Sequence, residues 1–107
     1  MPGSPLIPRV YFGKSSYKAL VDSGSDISII SNAVFRKIPK KFILSSSKAN
    51  LSPLTSASGH SISPIARAQV RLSIANIPCV VTFVVIQNFR FGLLLGSDFL
   101  YDQKHGN

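Results

Sequence analysis

The chain has 107 residues, 45% hydrophobic and 15% charged, with 12 Lys plus Arg against four acidic residues and a formal net charge of +8. This length suits one domain rather than two, and the balance of apolar to charged residues fits an ordered globular chain with a modest core, not a disordered one. No apolar run approaches the roughly 20 residues of a membrane-spanning helix, and a single cysteine, Cys79, excludes an internal disulfide.

The N-terminus, Met1-Pro2-Gly3-Ser4-Pro5, lacks the basic-then-apolar pattern of a secretion signal. Residues 1–8 hold three of the seven prolines and read as an extended arm or an edge strand. Arg9 to Phe12, a Gly13-containing turn, and Tyr17 to Val21 read as a hairpin that runs into Asp22. There an apolar strand, Ala19-Leu20-Val21, delivers a carboxylate into the tight turn Ser23-Gly24-Ser25, ahead of a second carboxylate, Asp26, and the apolar run Ile27 to Ile30. A carboxylate at the end of a buried strand is costly unless it is hydrogen-bonded, paired or functional. Gly24 permits a sharp turn and close approach by another chain, and Ser23 adds a hydroxyl that both donates and accepts. All four acids are aspartates, so carboxylate chemistry must draw on Asp22, Asp26, Asp98 and Asp102.

Ser31-Asn32 followed by Ala33 to Lys37 predicts a capped helical turn that stops before Pro39. The densest basic cluster, Arg36 to Lys41, reads as a solvated turn. Phe42-Ile43-Leu44 predicts a short strand and Ser45 to Asn50 a polar loop. From about Leu51 to Ile74 the chain reads as a ribbon: Leu54-Thr55-Ser56 and Ser61-Ile62-Ser63 flank a small polar tip, Ala57-Ser58-Gly59-His60. Ala66, Ala68, Val70, Leu72 and Ile74 then alternate with polar residues, the period of a strand with one wet face. Asn76 turns the chain into Cys79 to Ile86, apolar at nearly every position and so a central strand, with Pro78 tolerated at its start. Gln87 to Gly92 reads as a loop and Leu93-Leu94-Leu95 as a buried strand. Ser97 then caps a short C-terminal helix over 97–105, with Asp98 in its first turn.

Val21-Asp22-Ser23-Gly24-Ser25-Asp26 resembles the active-site loop of retropepsins, the aspartic proteases of retroviruses and LTR retrotransposons. Leu93-Leu94-Leu95-Gly96-Ser97-Asp98-Phe99-Leu100 resembles the second signature of that family, an apolar strand, a glycine and a short helix. The resemblance runs from about Pro5 to Asp102 and is closer to the retrotransposon branch. It implies a mostly-β, single-domain, retropepsin-like closed β-barrel with one short C-terminal helix, acting as a homodimer. Aspartic proteolysis needs two neighbouring carboxylates that share a proton, and one Asp-Ser-Gly per chain cannot supply both.

The resemblance further implies that Asp22 is catalytic and that Ser23 braces the two loops across the dimer. Gly24 and Ser25 would line the peptide site, and Asp26 would anchor substrate backbone or an arginine. Ala57, Ser58, Gly59 and His60 would form the flap that closes over an extended peptide. The substrate would be a Gag-Pol-type polyprotein, with the domain part of that larger chain in the cytoplasm or in virus-like particles. No cofactor or metal is implied; His60 and His105, the only histidines, show no ligand spacing. Asp98 is expected to cap the helix and to pair with Arg9 or another arginine, Asp102 to lie at the surface, and Cys79 to be a small core residue. Nucleic-acid binding is not expected from this domain alone, because no aromatic stacking platform is evident. In retroviral members a strand that interleaves with the partner follows the helix, whereas Tyr101 to Asn107 offers no apolar strand. The alternative is a non-catalytic dimerisation or peptide-binding module on the same fold.

Overall fold

The computed structural model describes residues 8–48, 54–55, 61–62 and 64–99. Strands β1 (Arg9–Phe12) and β2 (Ser15–Lys18) form a hairpin, followed by β3 (Leu20–Val21) and β4 (Ser28–Ser31). Helix α1 (Asn32–Phe35) and a 3-10 turn (Lys40–Phe42) lead to β5 (Ile43–Ser47), and β6 (Leu54–Thr55) and β7 (Ser61–Ile62) make a small ribbon. Two long strands, β8 (Pro64–Ile74) and β9 (Ile77–Ile86), precede the short β10 (Leu93–Leu95).

The β8–β9 hairpin is the frame. Ala66, Ala68, Val70 and Leu72 are buried while Ile65, Arg67, Gln69 and Arg71 are exposed, the alternation a half-buried strand requires. β9 alternates through Val81 and is then buried at every residue from Phe83 to Ile86. That half lies between β8 and β4 and has apolar cover on both faces: Phe83 and Val85 join the main core, Val84 and Ile86 a second cluster with Ile29 and Leu94. The connecting turn is Ala75-Asn76, both left-handed at φ 51° and 66°, as a tight two-residue hairpin turn demands.

The sheet runs in the order β2-β1-β8-β9-β4-β10-β3, with β5 added on β8. Only Ala19 separates β2 from β3, so the two ends of the path are covalent neighbours and the sheet wraps into a nearly closed barrel. Its interior holds Val10, Phe12, Ile30, Val70, Phe83, Val85, Leu93 and Leu95, all essentially inaccessible.

Ser31 caps α1 as expected, its Oγ accepting from the Val34 N–H at 3.2 Å. Two local expectations fail. Phe42 belongs to the 3-10 turn, and Ser45, Ser46 and Ser47, expected in a loop, are strand residues paired with Gln69, Ala68 and Arg67 of β8, after a register shift between Ile43 and Ser45. Their side chains are exposed, and a serine run carries no hydrophobic trace of the pairing. The expected arms of the ribbon do pair, Leu54 opposite Ile62 and Thr55 opposite Ser61. The tip Ala57–His60, the arm through residue 7, Asp102 and the expected helix beyond residue 99 lie outside the described residues. Residues 97–99 are helical. No helix among the described residues is long and apolar enough to cross a membrane.

Cys79 is a buried core residue, its Sγ donating to the Ile77 carbonyl at 3.3 Å. Burial pushes its thiol above the ordinary range, with a backbone hydrogen bond from the Ile74 region opposing weakly. The thiolate is the reactive form. Labelling by a disulfide reagent at neutral pH is therefore expected to be about tenfold or more slower in the folded chain than in urea, and equal rates would contradict this placement.

Candidate active site

β10 is inserted between β3, which it meets in parallel with Leu94 opposite Leu20 and Leu95 opposite Val21, and β4, which it meets antiparallel with Leu93 opposite Ile30. The chain leaving β3 must therefore pass over the C-terminal end of β10 to reach β4. That crossing is residues 22–27, the loop with both N-terminal aspartates. The Asp22 N–H donates to the Leu95 carbonyl at 3.0 Å and so carries the β3–β10 ladder one residue further, fixing where the carboxylate begins.

The loop is tied internally and from below. The Gly24 N–H donates to Asp22 Oδ1 at 2.9 Å and the Ser25 N–H to the Asp22 carbonyl at 3.1 Å, a turn closed by the aspartate itself. Ser25 Oγ donates to the Ile27 carbonyl at 2.9 Å, and the Ser97 N–H donates to the Ser25 carbonyl at 2.7 Å. Beneath lies Gly96. A Cβ there would collide with the Ile27 carbonyl and come within 2.7 Å of the Ser25 carbonyl oxygen, so the close approach requires glycine.

A polar network anchors the base. Ser28, wholly buried, accepts from the Gly96 N–H at 3.1 Å and donates from Oγ to Asp98 Oδ1 at 2.8 Å; the same carboxylate oxygen accepts the Phe99 N–H at 2.6 Å. Asp98 thus serves the start of the helix as expected, but its side-chain partner is Ser28 and not an arginine. Arg9 Nε donates instead to Ser16 Oγ at 3.3 Å, within its own hairpin. Ser97 contributes through its backbone to the loop, and the helical residues begin at Ser97 itself. Sequence reasoning does not single out Ser28; the available signal is a hydroxyl opening the apolar strand Ser28-Ile29-Ile30. Ser28→Ala leaves the buried Gly96 N–H without its partner and takes from Asp98 Oδ1 one of its two donors, the Phe99 N–H remaining, so a loss of about 1–3 kcal/mol is expected in urea denaturation.

Of the expected site residues, the structure joins Asp22, Gly24 and Ser25 by hydrogen bonds. Asp22, Ser23, Gly24 and Asp26 are exposed and Ser25 is half-buried. Asp26 has no hydrogen-bond partner among the described residues. Leu20 and Val21, next to Asp22, are 36% and 37% exposed on β3, which ends the sheet path and, among the described residues, pairs only with β10. Exposed apolar side chains and a strand edge with no partner among the described residues thus sit beside the exposed carboxylate.

The family pattern described as retroviral aspartyl protease matches residues 4–106. The chain belongs to the retroviral aspartyl protease family. No curated protein matches it by sequence. Its fold is that of solved members and relatives at low identity. EIAV protease complexed with an inhibitor is 16% identical, aligned over 96% of this chain and 91% of that one with a TM-score of 0.73. The retroviral protease-like domain of Ddi1 from Leishmania major is 17% identical over 94% of this chain and 76% of that one, TM-score 0.63. Prototype foamy virus protease-reverse transcriptase is 12% identical with a TM-score of 0.53; this retroviral aspartyl protease domain spans 11% of that chain and 92% of its own length is aligned.

Proposed function

We propose that the chain is an aspartic endopeptidase built from two copies, with one Asp22 from each meeting at the symmetry axis. The observation that carries this reading is the setting of Asp22. It is exposed on a loop held by hydrogen bonds at both its ends, beside the exposed Leu20 and Val21 of β3, whose outer edge meets no other described strand. A second copy related by a two-fold axis covers those apolar groups and supplies the missing carboxylate with the same surface.

Two carboxylates in contact cannot both ionise, so the pair holds one proton. The ionised member takes a proton from a water as it attacks the scissile carbonyl, and the protonated member donates to the developing oxyanion. The two exchange roles when the leaving amine is protonated. In this reading Ser23 braces the paired loops, Gly24 leaves room for the substrate backbone, and Ser25 and Asp26 border the peptide. The β6–β7 ribbon carries Ala57 to His60 over the extended substrate as a flap, a gating device that excludes water. A retroelement polyprotein of Gag-Pol type is the substrate that family membership suggests.

The test is cleavage of a mixed peptide library over a protein concentration series. Below the dimer dissociation constant the rate is expected to rise with the square of concentration. Strictly linear dependence would refute the shared site, and no cleavage with intact peptide binding would favour the same fold used as a binding module.

A further inference from the structure

A groove of about 420 Å³ lies away from the Asp22 loop, bounded by Arg9, Lys18, Arg90, Tyr17, Phe91 and the backbone at Gly92. Three of its walls are cations and none is an acid. β3 and β10 run parallel, so their starts, next to Lys18 and Gly92, face one way and their ends, at Asp22 and Gly96, the other. The groove is therefore separate from the proposed catalytic pair.

Arg9 and Lys18 are directly opposite each other across the β1–β2 ladder. Like charges in that position repel, and an anion between or beside them would relieve that repulsion. Ser16 Oγ accepts from Arg9 Nε and holds the guanidinium on the hairpin. At the other wall, Phe91 is 56% exposed, with Phe89 edge-on to it at 5.8 Å between ring centroids and the Arg90 guanidinium over its ring at 6.0 Å from the centroid. Cations around a largely exposed aromatic ring are the arrangement that holds a single strand, charges on phosphates and ring on a base, with arginine over the ring adding to the stack. The three cations are far apart in sequence, at 9, 18 and 90, which is why composition alone shows the charge and not the platform.

We propose that this groove binds single-stranded nucleic acid, with Arg9, Lys18 and Arg90 on successive phosphates and Phe91 stacked on a base. The chain's excess of eight positive charges supplies the long-range attraction, and the groove supplies the place.

The test uses fluorescence anisotropy with a labelled twelve-nucleotide oligouridylate, and the matching DNA, over a salt series. Arg9→Gln/Lys18→Gln/Arg90→Gln is compared with Lys37→Gln/Lys40→Gln/Lys41→Gln, which removes the same charge elsewhere. Each single-strand phosphate contact contributes about −0.7 to the slope of log affinity against log salt, so the groove variant is expected to lose about two units of slope and the control much less. Phe91→Ala is expected to weaken binding about 5- to 150-fold while leaving the salt slope unchanged. Equal tightness for RNA and DNA assigns the contact to phosphate and base, and preference for RNA adds the ribose hydroxyl. Equal losses in the two triple variants, an indifferent Phe91→Ala, or displacement by polyglutamate as effective as by unlabelled RNA would each overturn the proposal. Thermal melts of all variants separate lost binding from lost fold.

Discussion

Replacing Asp22 by asparagine is expected to remove peptide cleavage, lowering kcat/KM by about 10²–10⁴-fold or more, the span that a positioned acid–base group contributes. The amide retains the oxygen that accepts the Gly24 N–H at 2.9 Å, so the turn survives. Because the side chain is exposed, the urea midpoint should move by no more than about 0.5 kcal/mol in stability. What is lost is the shared proton, since an amide neither takes a proton from water nor gives one to an oxyanion. The shared site makes a stronger demand. Asp22→Asn protein added in excess to wild type draws wild-type chains into mixed dimers with one carboxylate, and activity should fall well below the wild-type-only rate. Simple dilution without such poisoning would mean that one chain carries the whole site, and retained activity in pure Asp22→Asn protein would remove Asp22 from the chemistry altogether.

Sequence patterns reached the frame of this molecule because its long strands obey one rule each. Ala66 to Leu72 alternate since one face is wet, and Phe83 to Ile86 do not since both faces are covered. The Asp22 loop stood out for a different reason. Asp22-Ser23-Gly24 is a weak signal alone, but it comes with a second block in the expected order, Leu93 to Leu100. The structure lays that loop across the end of β10. Three features were hidden. Ser45 to Ser47 form a strand with exposed side chains and nothing apolar to betray them. The Ser28–Asp98 bond spans 70 positions, and a single serine in an apolar run says nothing about what it meets. Arg9, Lys18 and Arg90 become one groove only after the sheet has wrapped. Local periodicity reports which face is wet; it does not report which distant strand lies alongside.

Gly96 is where that distant pairing is most constraining, and Gly96→Ala is expected to destabilise the fold by about 3 kcal/mol or more, a large share of a small domain's stability. The added methyl has nowhere to go. It collides with the Ile27 carbonyl and sits 2.7 Å from that of Ser25, and both are backbone atoms. Neither carbonyl can yield cheaply, because Ser25 already accepts the Ser97 N–H at 2.7 Å and Ile27 accepts Ser25 Oγ at 2.9 Å. Lifting the loop to admit the methyl also pulls the Gly96 N–H from Ser28, whose Oγ is wholly buried and bonded to Asp98. Gly24→Ala is the contrasting case. Its Cβ would meet only Asp22 Oδ1 at 3.2 Å, the end of a side chain, so the fold should persist while the carboxylate is displaced and cleavage falls. Urea titration of the two variants with parallel peptide assays separates them: Gly96→Ala shifts the midpoint first, and Gly24→Ala shifts the rate with little change in midpoint. An unshifted midpoint for Gly96→Ala would mean that the loop does not rest on β10. The geometry that aims Asp22 would then need another support.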